Sequence, residues 1–195
     1  MLSSAIIVFR ETLEAALIIG IIAAATRGLQ ARNAWLLGGV AGGVAGSLVV
    51  ASLTGQIAEL AEGAGQELFN AGILGLAALM LAWHNIWMAR HGMQLAAEAK
   101  QLGRDVTSGS RELSALALVV SLAILREGSE TALFLYGLLA GGEEPLASVL
   151  GGGAIGLLAG GLAGYGLYAG FLHIPARLFF TATSGLILLL AAAMA

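Results

Sequence analysis

Apolar positions in this chain run together rather than alternate. Near-continuous apolar stretches occur at roughly 2–25, 34–54, 68–89, 113–139, 146–170 and 176–195. About 20 such residues are what a helix needs to cross a bilayer, and no period of two competes with that pattern. The expectation is an all-α, polytopic membrane protein with about six transmembrane helices. The first stretch starts at Met1 with no basic segment before it and carries internal charges. A cleaved leader has the opposite pattern, so span 1 is expected to stay in the mature protein. Polar residues take over across 91–112, which reads as a helical extension followed by a Gly/Ser turn near Gly103–Ser110. The last stretch stops at Met194–Ala195 with no polar flank, where Trp, Tyr or Lys normally anchors a helix end; the expectation is a truncated chain.

The pattern also repeats. Arg10-Glu11-Thr12-Leu13-Glu14-Ala15-Ala16-Leu17 and Arg126-Glu127-Gly128-Ser129-Glu130-Thr131-Ala132-Leu133 share the string R-E-x-x-E-x-A-L. A Gly-rich span and a further apolar span follow each copy. Residues 1–89 and 113–195 therefore read as two three-helix repeats joined by a cytoplasmic connecting loop at 90–112. Three spans per copy is odd, so the copies insert with opposite topology, the inverted-repeat logic of many transporters. At 1.5 Å per residue, Glu11 and Glu14 fall ~14 and ~18 Å below the outer end of span 1, and Glu130 and Glu127 fall at ~14 and ~18 Å in span 4. Four carboxylates thus share one layer.

Composition sharpens this picture. The 195 residues are 58% hydrophobic and 11% charged, against about 25% charge in a soluble domain. A net charge of −3 argues against a nucleic-acid partner, and the absence of Cys removes disulfides, thiolate metal sites and Cys nucleophiles. Of the 29 glycines, Gly38, Gly42 and Gly46, and Gly152, Gly156, Gly160 and Gly164, recur every four residues. Such stripes let helices approach closely, and they are rich enough to suggest a homo-oligomer as well. Seven of the nine Lys and Arg residues fall at one set of span ends: Arg27, Arg32, Arg90, Lys100, Arg104, Arg111 and Arg177. The opposite ends carry only Glu59, Glu62, Glu67, Glu143 and Glu144. The positive-inside rule makes the basic side cytoplasmic and the N-terminus external. Trp35, Trp83 and Trp87 are expected near the cytoplasmic interface, where indoles prefer to sit.

The remaining basic residues, Arg10 and Arg126, lie inside spans with the four glutamates. A charge in hydrocarbon costs about 2.5–3.5 kcal/mol even on insertion scales, so these six need partners. Glutamates at i and i+3 share a helix face, and each arginine reaches a glutamate at i+4. Four carboxylates and two guanidiniums leave −2, which a bound cation or protons relieve. Carboxylate oxygens are hard donors and suit hard cations. The residue chemistry gives a hard-cation or proton pathway without naming the cation; two structural Arg–Glu pairs holding the repeats together are the plainer alternative.

Paired intramembrane R-E-x-x-E motifs in the first and fourth spans resemble the oxidase-dependent iron permeases, the fungal high-affinity permease and its bacterial iron-uptake relatives. The resemblance covers essentially the whole chain and includes Pro175-Ala176-Arg177-Leu178-Phe179-Phe180, similar to the family's lead into its sixth span. It implies an iron transporter rather than an enzyme, with Glu11, Glu14, Glu127 and Glu130 as iron ligands and Arg10 and Arg126 as the motif arginines. Iron is then cargo, with Fe3+ expected over Fe2+, and no organic cofactor. An extracytoplasmic iron oxidase or peroxidase is the implied partner, and a plasma membrane, bacterial inner membrane by preference, the implied location. The family's seventh span is absent, and Thr12-Leu13 stands where Gly-Leu is common.

Other polar residues carry weaker readings. Glu59, Glu62, Glu143 and Glu144 would collect cations outside, or simply form a solvated acidic face. His84, toward the inner end of span 3, would receive metal on its way out or only hydrogen-bond at the interface; Asn85 and His91 are similar. Asn70, Thr181, Thr183 and Ser184 would line a path or bond across helices. The competing functions are a permease for another cation, divalent or lead-type, and a carboxylate-site membrane metalloenzyme. Neither motif supplies the Glu-x-x-His pairs of di-metal bundle enzymes, which weighs against the last.

Overall fold

The computed structural model describes residues 1–60, 66–140 and 145–170, and every regular element among them is helical. Five helices follow one another: α1 (Leu2–Ala25), α2 (Arg32–Leu60), α3 (Gln66–Thr107), α4 (Ser114–Ala140) and α5 (Leu146–Tyr168). They coincide with the first five apolar stretches, because each stretch lacks Pro and ends at a turn signal. Between α1 and α2 the chain reverses through Gly28, whose φ of 91° suits glycine. Between α3 and α4 it turns at Gly109, φ 78°, with the Ser108 and Ser110 amides bonded back to Arg104 and Asp105 carbonyls. The expected turn at Gly103 is not there. Gly103 is helical and packs where a Cβ would strike Ala25, so α3 continues unbroken to Thr107. The sixth apolar stretch, with Pro175–Phe180, Thr181, Thr183 and Ser184, lies outside the described residues.

The contacts give the helix directions. Along α1 and α5, Ser4 meets Gly152, Phe9 meets Gly156 and Gly160, and Ala16 meets Gly164; the two run parallel. Along α2 and α4, Gly39 meets Ala117, Gly43 meets Ile124 and Ser47 meets Gly128, again in parallel. Ile6 and Ile7 pack on Phe134, while Ile22 joins Leu116 and Val120 in the main apolar cluster; α1 and α4 are therefore antiparallel. The first helix of each half lies on the second helix of the other.

Glycines make these pairings possible. A Cβ at Gly156 would press on the Ala5 carbonyl and the Phe9 amide, and one at Gly39 on the Ala117 carbonyl. Backbone cannot move aside as a side chain does. The α5 stripe is the expected one. The α2 stripe is Gly39, Gly42, Gly43 and Gly46, while Gly38 faces open space. On α2 two adjacent four-residue rows, Gly39 with Gly43 and Gly42 with Gly46, share the face toward α4.

Two helical segments, Arg32–Gln56 and Leu146–Tyr168, are long and apolar enough to cross a membrane. Their outer faces expose Leu37, Leu48, Leu157 and Leu162, the last at 72%, as surfaces meant for lipid do. The central stretches of α1 and α4 instead hold the R-E-x-x-E charges, buried among the helices.

Candidate metal centre

Position on a helix decides which of the buried charges meet. Arg10, Glu11 and Glu14 sit midway along α1, and Arg126, Glu127 and Glu130 midway along α4. Because the two helices are antiparallel, the motifs face each other. Arg10, Glu11 and Glu14 are each only 1% exposed. The Arg10 guanidinium donates through Nη1 to Glu11 Oε1 at 2.9 Å, and its Nη2 lies at ion-pair distance, 2.8 Å, from Glu14 Oε1. On α4 the pairing is looser: Arg126 Nε is 3.4 Å from Glu130 Oε1 and 3.7 Å from Glu127 Oε1.

The third contributor comes from α3. His84, 5% exposed, stands between the motifs, with Nε2 3.3 Å from Glu14 Oε2 and Nδ1 2.7 Å from Glu130 Oε2. Arg126 Nη2 also approaches Nδ1, at 3.2 Å. One nitrogen cannot both donate to Glu130 and accept from Arg126. At 2.7 Å from the Glu130 carboxylate, Nδ1 carries a proton and donates to it, and it would release that proton to turn a lone pair toward a cation.

Glu11, His84, Glu127 and Glu130 each place one ligand atom so that all lie within 4.8 Å of one another. Glu11 and Glu127 face each other as a carboxyl pair, and Oε2 of each is buried with no N–H or hydroxyl donor on it. Ionised carboxylates are acceptors only, so buried oxygens left this way call for a proton or a cation. The donor set is three carboxylates and an imidazole, which suits first-row metals such as iron.

Three of the four glutamates singled out in the sequence belong to this set. Glu14 stands beside it, held by Arg10 and turned to His84. His84 is at the centre rather than toward an inner span end. That expectation counted span 3 only to residue 89, whereas α3 runs to Thr107 and sets His84 deeper. The available signal was simple: His84 is the only titratable residue between Glu67 and Arg90. The Trp87 ring centroid lies 4.6 Å from the Arg126 guanidinium, so this indole packs beside the cluster. Glu59 falls at the end of α2 and Glu67 at the start of α3; Glu62, Glu143 and Glu144 lie outside the described residues.

A helical membrane protein with a carboxylate–imidazole cluster buried among its helices is the class that fold and site define. The comparisons then give the family: the whole chain, residues 1–195, matches the iron permease FTR1 family, and the chain belongs to it. Among curated relatives, the iron permease EfeU of Bacillus subtilis is 30% identical over 95% of this chain. The ferrous iron permease EfeU of Escherichia coli O157:H7 is 30% identical over 97% of it, and that of Yersinia pestis 31% over 97%. This chain spans 39% of the Bacillus protein's length, 69% of the Escherichia protein's and 68% of the Yersinia protein's. No solved structure matches. Membership in a permease family sets the chain with transporters rather than with enzymes.

Proposed function

We propose that this chain carries iron across a membrane through the cluster of Glu11, His84, Glu127 and Glu130. The observation that carries the proposal is the convergence of four ligand atoms from three helices, with two carboxyl groups facing each other and no N–H or hydroxyl donor on their buried Oε2 atoms. The relatives' names supply the cargo. In this reading Glu14 is a positioning residue: with a cation bound it accepts a hydrogen bond from His84 Nε2–H and so leaves Nδ1 to face the cluster, as a carboxylate beside a ligating histidine does elsewhere.

The oxidation state follows from the donors. Oxygen ligands alone favour Fe3+, but the imidazole is a softer donor, and the Escherichia and Yersinia relatives are named ferrous iron permeases. The proposal is therefore iron accepted as Fe2+. It includes a multi-pass chain built as two inverted three-helix repeats, supported by the reciprocal pairing of α1 with α5 and α4 with α2. An external N-terminus, a bacterial inner membrane and an extracytoplasmic oxidase or peroxidase partner complete it. Iron uptake into vesicles by wild type, Glu127→Gln and His84→Gln, at matched protein levels and with each oxidation state, is the test. Loss of uptake in both variants supports the cluster; unchanged uptake in either removes that residue from it.

A further inference from the structure

Beyond the cluster, on the far side of Arg126, a cavity of about 510 Å³ opens between α3 and α4. Its lining includes Glu127 and Arg126 at the cluster end, Leu122 and Ala123 along the wall, and Glu98 and Asp105 two turns apart on α3. Glu127 faces both spaces: it belongs to the cluster, is only 3% exposed, and its Oε2 has no N–H or hydroxyl donor on it. The volume is ample for several waters or a hydrated cation. The end of α3 that bears Glu98 and Asp105 packs on the end of α1, through Thr107 to the Ala25 carbonyl, so the cavity leads toward the end that carries Arg27, Arg32, Arg104 and Arg111.

The two motif arginines differ at this boundary. Arg10 is 1% exposed and tightly paired, whereas the Arg126 side chain is 34% exposed, loosely paired and seated on the Trp87 ring. We infer that this cavity is the cation's passage between the cluster and the basic end of the bundle, and that the Arg126 guanidinium is its gate. In its present place the guanidinium lies beside Glu127 and Glu130 and repels a cation approaching through the cavity. Trp87 carries the guanidinium in that same place, 4.6 Å from the ring centroid, so Arg126 keeps a seat on the indole face when a cation draws Glu127 and Glu130 away from it. Arg10 is instead buried and held by two carboxylates.

The inference rests on the function proposed above, and two measurements separate them. The chain has no cysteine, so Ala123→Cys in the full protein reports on the cavity alone. A small cationic thiol reagent should label it faster than an anionic one of equal size, because Glu98, Asp105 and Glu127 outnumber Arg111 and Arg126 in the lining. Equal rates, or faster labelling by a neutral apolar maleimide, would overturn the passage whether or not the cluster binds iron. In detergent, Fe2+ should load Arg126→Ala about ten-fold faster than wild type, as removal of a charge of like sign from the path permits. Labelling Ala123→Cys in that background should return loading to the wild-type rate. Unchanged loading overturns the gate. Arg126→Lys, which keeps the charge and loses the flat seat on Trp87, serves if the alanine variant does not fold. Wild type that binds no Fe2+ overturns the proposed function and the gate together, and leaves the labelling result to decide the cavity.

Discussion

Arg10 and Arg126 occupy the same motif position and should respond differently to removal. Arg10 holds two carboxylates that are fully buried, and stripping one partner from a buried pair costs about 3–5 kcal/mol. Arg10→Ala is expected to fold poorly, seen as low membrane yield and a lowered unfolding midpoint in detergent. Arg126 is a third exposed, so Arg126→Ala should keep most of that stability; equal loss in the two variants would contradict the asymmetry. Among the carboxylates, Glu11→Gln and Glu127→Gln should abolish saturable Fe2+ binding. Glu14→Gln should leave binding saturable but about 10–100-fold weaker, the usual cost of disturbing a residue that orients a ligand. Binding titrations by calorimetry would separate the two classes. At this scale the glutamates were legible, because charges are too costly in an apolar run to stand there without partners or a ligand. His84 was legible only as an isolated ionisable residue; the helical extension past residue 89 was readable, but the polar residues in it, such as Gln94 and Glu98, put the end of the span at 89 and His84 near it.

Between helices, the glycines carry the geometry. Gly156 faces the backbone of Ala5 and Phe9, and Gly39 that of Ala117, while Gly38 has nothing within 4 Å of where a Cβ would stand. Gly156→Ala and Gly39→Ala should therefore separate their helix pairs and lower the unfolding midpoint. Gly38→Ala should be neutral or slightly stabilising, up to about 1 kcal/mol from helix propensity. A thermal series on the three variants tests the assignment, and a destabilised Gly38→Ala would show that its face meets a further surface. Spacing alone made the α5 stripe readable. On α2 it found Gly42 and Gly46 but took Gly38 for Gly39 and passed over Gly43, because Gly38-Gly39 and Gly42-Gly43 are doublets and a sequence does not say which members face the neighbour.

Over the whole molecule, helix order was readable because every helix contains one apolar run, although α3 continues well beyond its own. The pairing was not, since α1 with α5 and α2 with α4 join residues that no local pattern connects. The proposed orientation gives a direct check. Ser108→Cys, in the turn between α3 and α4, should react with an impermeant thiol reagent only from the cytoplasmic side of oriented vesicles. Reaction from outside alone would reverse the assignment drawn from the basic residues.

The parallel docking of α1 on α5 bears on how the protein is made. Arg27 at the end of α1 reaches the Tyr168 carbonyl across 141 residues of chain, and Glu11 meets Glu127 only once α4 exists. During synthesis the first helix therefore enters the bilayer well before the surfaces that cover its charged middle. Until then Arg10 alone shields Glu11 and Glu14, so the newborn helix depends on that internal pairing or on the insertion machinery. Chains halted after α3 should be cleared rapidly by membrane proteases, while chains halted after α5 persist, and pulse-chase of ribosome-released truncations would show the difference. Quality control would then sense assembly at the motif layer, and the motif arginine would be as necessary for biogenesis as for the finished transporter.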